Sequence, residues 1–221
     1  MKKETQIIKV ALADDHVLLR NALASLINGF ENFKVTLEVS NGKELLNSIT
    51  EIDVPDVLLL DLNMPDMDGY ETATWLMLNF PAVHILMLTM YDSELALIRL
   101  LQAGVKGFLK KDIHPLELKF ALESVVQSGY YYSQRISGKM ANLFRSKNGN
   151  MMALEKNLLT VQEVCFLKLS SSEMTYKEIA LKMQLNPRAV DALRDHLFQK
   201  LDIKSRVGLA MYAMRQGLVT F

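Results

Sequence analysis

The chain has one cysteine, Cys165, in 221 residues, so no internal disulfide framework holds it together. It has one tryptophan and five prolines, and its 25 Lys/Arg balance 25 Asp/Glu, so neither a polyelectrolyte nor a proline-rich extended chain is in view. No uninterrupted apolar run approaches the roughly 20 residues of a membrane span. The opening MKKETQIIKVALADD is basic, but its apolar part is short and alternating, with no small-residue cleavage site. A cytoplasmic protein without membrane attachment is expected. Half of the residues are apolar and 23% are charged, a composition that buries a sizeable core.

The zero net charge hides an asymmetry. Residues 1–140 carry 13 Lys/Arg against 18 Asp/Glu, whereas residues 151–221 carry 10 against 7. Two modules with different partners fit this division, the second being mildly basic.

Through the first 130 residues, short apolar runs alternate with amphipathic stretches. IIKVALA (7–13), KVTLEV (34–39), DVLLL (56–60), VHILML (83–88) and KGFL (106–109) read as strands. Helical patterns cover 16–28, 42–52, 68–79, 93–103 and 114–128. Five such units predict an α/β fold, a doubly wound five-stranded parallel sheet with helices on both faces. Ligands in such sheets gather at the carboxyl ends of the strands. Those ends carry Asp14 and Asp15, then Asp61, then Thr89, then Lys110 and Lys111.

In ALADDH, LLLDLNMPDMDG, LMLTMYD and AGVKGFLKKD, in this order, the chain resembles the flavodoxin-like receiver domain of two-component response regulators. The resemblance implies that Asp61 accepts a phosphoryl group from a sensor histidine kinase. It implies that Asp14 and Asp15 organise a divalent metal, that Thr89 is the switch hydroxyl, and that Lys111, closing the run from Gly104, is the essential lysine. It further implies a metal-ligating backbone carbonyl at Asn63, and an aromatic switch residue, Phe108, that turns inward on phosphorylation. Such a protein is a phosphoryl acceptor with only self-phosphorylation and self-dephosphorylation chemistry, not an enzyme acting on other substrates.

The residues support the same chemistry. Three adjacent carboxylates repel unless a cation joins them, and hard oxygen ligands favour Mg²⁺, which also takes phosphate oxygens. Asp15 and Asp61 are the direct ligands expected, with Asp14 acting through water. Pro65 fixes φ in the following turn, and Gly69 relaxes an awkward dihedral.

The ordinary readings are that strand-end acids cap helices, that His16 starts one, and that Cys165 and the thirteen methionines fill core. A haloacid-dehalogenase-type phosphatase would use the same nucleophile, but it needs an acid where this chain has Asn63. A flavodoxin-like cofactor binder would need a phosphate loop after the first strand, where two carboxylates stand instead.

After residue 133 the pattern changes. Residues 134–152 read as a partly helical linker between a first domain, 1–133, and a last, 153–221. TVQE (160–163) and TYKE (175–178) fit capping boxes, NP (186–187) marks a third helix start and Ser205 a fourth. The expectation is a small all-α four-helix domain. YKEIALKMQLNPRAVDALRDHLFQKLDIKSR resembles the LuxR-type helix-turn-helix of NarL/FixJ response regulators. That resemblance implies DNA binding, and a homodimer at least when phosphorylated. Val190, Leu193, Leu197 and Leu201 should be core, leaving Arg188, Asp191, Ala192, Asp195 and Gln199 outside. Lys177, Lys182, Arg188, Arg194, Lys200, Lys204 and Arg206 are candidates for phosphate contacts. The family pattern has Lys where this chain has Asp191, so two acids, Asp191 and Asp195, stand on the reading face. Beside a polyanion they cost affinity unless they accept from a cytosine amino group. The rival expectation is an effector domain that acts by protein–protein contact.

Overall fold

The computed structural model describes residues 7–89, 94–133, 136–137, 159–216 and 218–219. They divide into two compact units. The first is built on strands β1 (Ile8–Ala13), β2 (Phe33–Val39), β3 (Val57–Asp61), β4 (His84–Thr89) and β5 (Gly107–Lys110). All neighbours pair in parallel, in the order β2-β1-β3-β4-β5. Helices α1 (Val17–Asn28), α2 (Gly42–Ser48), α3 (Gly69–Asn79), α4 (Glu94–Gln102) and α5 (Pro115–Ser128) connect and follow the strands.

Strand periodicity decides what each face buries. In β1, Val10 and Leu12 pack with α1 and α5, whereas Ala11 and Ala13 pack with α2, α3 and α4; Val57 and Leu59 of β3 oppose Leu58 and Leu60 likewise. The chain runs from β1 to one side and returns to the other at β3, so the strand order reverses between them. That reversal opens a crevice at their carboxyl ends.

One predicted helix is shorter than expected. The 42–52 pattern yields a helix that stops at Ser48, because Ile49 turns to an extended backbone (ψ 130°) and inserts into the core. Thr50 and Asp53 then close a turn, the Asp53 N–H donating to the Thr50 carbonyl at 3.1 Å.

The second unit contains α6 (Val161–Ser170), α7 (Tyr176–Lys182), α8 (Pro187–Leu201) and α9 (Arg206–Arg215). Each starts where its cap is encoded: Thr160 and Thr175 form full capping boxes with Glu163 and Glu178, and Asn186 and Ser205 accept from Ala189 and Gly208. Phe166, Leu167, Ile179, Val190, Leu197 and Leu209 form its core, with Leu193 and Leu201 packed against it. Cys165 departs from expectation. It is exposed, because Glu163, Val164, Phe166, Leu167 and Ser170 take the buried side of α6. The predicted linker, 134–152, lies outside the described residues except for Ile136 and Ser137.

Candidate phosphoryl-acceptor site and nucleic-acid interface

Strand register assembles the first site. Ala13 pairs with Leu60, so Asp14 and Asp61 leave adjacent strands side by side; Asp61 pairs with Leu88, and Thr89 pairs with Lys110. The next residue along, Lys111, then turns over the crevice. Its Nζ lies 2.8 Å from Asp61 Oδ2 and 3.0 Å from Asp14 Oδ2. Lys110 remains exposed on the rim, which separates the two lysines.

Asp14 and Asp61 are 1% and 2% exposed. Burial pushes the Asp61 carboxyl up to about 6, with Asp14 adding to the rise while Lys111 and a backbone hydrogen bond from Asn63 oppose it. Burial pulls the Lys111 ammonium down, but its bonds and charge interactions with Asp61 and Asp14 outweigh that, and its pKa lies above the ordinary lysine value. Both Asp Oδ2 atoms are sealed from solvent. Apart from the Lys111 ammonium, neither meets a hydrogen-bond donor among the described residues. Two buried anionic oxygens with open coordination suit a hard divalent cation. Asp14, Asp15, His16 and Asp61 each offer a ligand atom, all within 4.8 Å of one another.

Two neighbours were not assigned functional roles from sequence. His16 Nδ1 sits 3.0 Å from Asp14 Oδ1 and 2.8 Å from Asp15 Oδ1, and its backbone N–H donates to Asp14 Oδ1 at 2.8 Å. Arg20 Nη1 donates to the Asp14 carbonyl and, at 3.3 Å, to Ser40 Oγ, bracing the end of β1. Adjacency to the acid pair was the only sequence signal for either.

Two details around Asp61 differ from expectation. Gly69 serves space, not a dihedral: a Cβ there would stand 2.2 Å from the Asp61 carbonyl oxygen and 2.8 Å from Leu62 Cα. The left-handed residue of the turn is Asp66, at φ 63°. Phe108 is already inside, 2% exposed, its ring 6.2 Å from that of Tyr132. Thr89, 6% exposed, ends the strand next to Asp61.

On the second unit, Arg188, Asp191, Ala192, Asp195 and Gln199 are all exposed on α8, as are Lys177, Lys182 and Lys204 elsewhere. Three candidate phosphate-binding residues have partners within the unit. Lys200 Nζ pairs at 2.8 Å with Glu163, a carboxylate only 3% exposed. Burial raises that carboxyl, but bonding to Lys200 and to Thr160 wins, and its pKa lies below the ordinary value. Arg206 donates to the carbonyls of Ser170 at 2.9 Å and Ser172 at 2.7 Å, and to that of Met174. Arg194 holds Asp191 at 2.9 Å and Asp195 at 2.8 Å, so the two acids of the outer face share one counterion.

Three acids, an ammonium and a hydroxyl thus share one rim. Residues 10–123, more than half of the chain, match the family model of the response regulator receiver domain. The chain belongs to the two-component response regulators. Residues 157–213 match the model of bacterial regulatory proteins of the luxR family, so this response regulator carries a LuxR-type DNA-binding domain and acts in transcription regulation. The rival expectation of a purely protein-binding effector is not favoured. Among similar proteins is the oxygen regulatory protein NreC of Staphylococcus haemolyticus (strain JCSC1435), 30% identical over 218 residues that cover 97% of this chain and all of that protein. NreC of Staphylococcus carnosus (strain TM300) matches equally, at 30% identity and the same coverage. The fold is also that of RcsB from Salmonella enterica serovar Typhimurium, solved on promoter P1flhDC with phosphomimetic BeF3−, at TM-score 0.69, 22% identity and coverage of 94% and 98%. ChrA, a response regulator of a heme-sensing two-component system, aligns at TM-score 0.51 and 25% identity over 97% of this chain and all of its own.

Proposed function

We propose that Asp61 accepts a phosphoryl group from the phosphohistidine of a sensor histidine kinase, and that the resulting acyl phosphate controls DNA binding by residues 153–221. An Asp61 carboxylate oxygen attacks phosphorus, the P–N bond breaks, and its electron pair stays on the donor imidazole, which is then protonated. Lys111 neutralises a phosphoryl oxygen. Mg²⁺ fits the carboxylate donors: Asp15, Asp61 and the Asn63 carbonyl would hold it, with Asp14 acting through water, and it would offset the charge of the phosphoryl oxygens. Later attack by water on the acyl phosphate returns Asp61 and inorganic phosphate, the limit of the chemistry this chain performs unaided. The single observation that carries this reading is the Lys111 ammonium within ion-pair distance of both buried acids.

In this reading residues 1–133 are the receiver, 134–152 the linker and 153–221 the effector. Phosphoryl oxygens draw in the Thr89 hydroxyl, and with the Phe108 ring turned inward the surface around α4 and β5 is remodelled. The effector engages DNA through Arg188, Ala192, Asp191 and Asp195 on α8, with Lys177, Lys182 and Lys204 on phosphates. It works as a homodimer on paired half-sites. Among the described residues no helix is long and apolar enough to cross a membrane. The cytoplasm, where the kinase domain and DNA are met, is the proposed location.

The test is direct. Incubation with Mg²⁺ and acetyl phosphate should add one acid-stable, base-labile phosphoryl group, detected by intact mass, and Asp61→Asn should abolish it. Equal labelling of the Asp61→Asn protein sinks the assignment.

A further inference from the structure

We propose that Asp191 reads a cytosine in the major groove, accepting a hydrogen bond from its exocyclic N4 amino group, and that Arg194 is the positioning residue that fixes the Asp191 carboxylate for this contact. The proposal rests on the reading of residues 153–221 as a DNA-binding domain. Asp191 lies one turn beyond Arg188 near the start of α8 and is exposed, about a quarter-turn or more round the helix from the fully buried Val190 and Leu197. In a helix-turn-helix the first turns of the recognition helix meet base edges.

The guanidinium of Arg194 holds both acids of this face. Its Nη1 donates to Asp191 Oδ1 at 2.9 Å, while Nε and Nη2 donate to Asp195 Oδ1 at 2.9 and 2.8 Å. The same guanidinium lies 5.3 Å from the centre of the Tyr176 ring on α7, which pins it from below. Each carboxylate therefore commits one oxygen inward and keeps the other for a new donor. The Asp191 and Asp195 side chains are 54% and 61% exposed. Asp195 takes two of the three donated bonds and sits a turn further from the helix start, which makes it the anchor and Asp191 the reader.

Charge and chemistry select the base. Arg194 reduces the local charge of two acids to that of one, lowering the repulsion by the DNA phosphates. A carboxylate only accepts, so the acceptor edge of guanine and the O4 of thymine repel it. Adenine offers an amino group beside the N7 acceptor, which faces the second carboxylate oxygen unfavourably. Cytosine presents its amino donor with no acceptor beside it, and is the base that an Asp at this position matches.

The full chain, treated with Mg²⁺ and acetyl phosphate, is used to select duplexes from a random pool at low salt. Wild type should enrich cytosine at one position in each half-site, roughly tenfold or more over other bases. Asp191→Asn should move that position to adenine, whose N6 and N7 an amide matches, and Asp191→Ala should flatten it. Arg194→Met should relax the same position and weaken binding most at low salt, where the repulsion of two uncompensated acids by the phosphates is least screened, with the helical circular dichroism of wild type retained, a combination that mere loss of helix stability does not produce. The same base at every position for wild type and Asp191→Asn overturns the proposal. Low-salt binding without any sequence preference also overturns it but leaves DNA binding standing, and no duplex binding at all overturns both.

Discussion

Replacing Asp61 by Asn removes more than a nucleophile; it should stabilise the receiver in a pH-dependent way. The Asp61 carboxyl is pushed up to about 6 from an ordinary 3.8, mainly by burial. That value already includes the opposing attraction of Lys111. A raised carboxyl pKa means the fold favours the protonated form, so the associated stability is complete below about pH 4 and is lost as pH rises through about 6. Two pKa units correspond to roughly 3 kcal/mol of unfolding free energy. Asn resembles the protonated acid at every pH. Without divalent cation, Asp61→Asn should therefore exceed wild type by up to about 3 kcal/mol at pH 8 and by about half of that at pH 5. Urea unfolding followed by tryptophan fluorescence is the assay. Trp75, the sole tryptophan, lies on α3 with the Phe80 ring 5.6 Å away, so its signal reports the receiver unit. Added Mg²⁺ should narrow the gap at pH 8 by stabilising the ionised wild type. A variant no more stable than wild type at pH 8, or an advantage equal at pH 5 and pH 8, refutes the reasoning.

Arg206→Ala should lower the thermal stability of the effector unit by roughly 2–4 kcal/mol, since it leaves three carbonyls without their charged donor. Circular dichroism melts check this; Arg206→Lys should recover only part, and a neutral result would return Arg206 to the pool of phosphate contacts. Gly69→Ala forces the backbone at Asp61 to move, because its Cβ has no room against Leu62. Its rate of phosphorylation by acetyl phosphate should fall by about tenfold or more, and an unchanged rate contradicts the close-approach argument. Thr89→Ala should still be phosphorylated yet lose the phosphorylation-dependent change in oligomeric state seen by size-exclusion chromatography; a full change in that variant rules out the switch role.

Some of this protein could be read directly from the order of its residues. The inner strands are legible because each is an apolar run, buried on both faces between helices, and the edge strand β2 because its apolar residues alternate with exposed Lys34, Thr36 and Glu38. Once the runs are placed, Asp14, Asp61, Thr89 and Lys111 fall on one rim, since a parallel sheet brings all its carboxyl ends together. The effector helices are legible for a different reason. A capping box links residues three apart, so Thr160, Thr175 and their glutamates declare helix starts whatever the tertiary context.

Tertiary structure decided what depends on partners remote in sequence. Nothing near Lys200 says that its ammonium serves Glu163, 37 residues away, and nothing near Arg206 marks the carbonyl of Ser170, 36 residues away. Both read as available cations because sequence gives a side chain's charge but not its neighbours. Cys165 lies on the outside of α6 while a glutamate, of all residues, takes an inside position, where Lys200, His196 and the Thr160 N–H partner its carboxylate. The acids of α8 were visible as charges, but their sharing of Arg194, and the orientation that follows from it, arise from three side chains and the Tyr176 ring of another helix meeting in space.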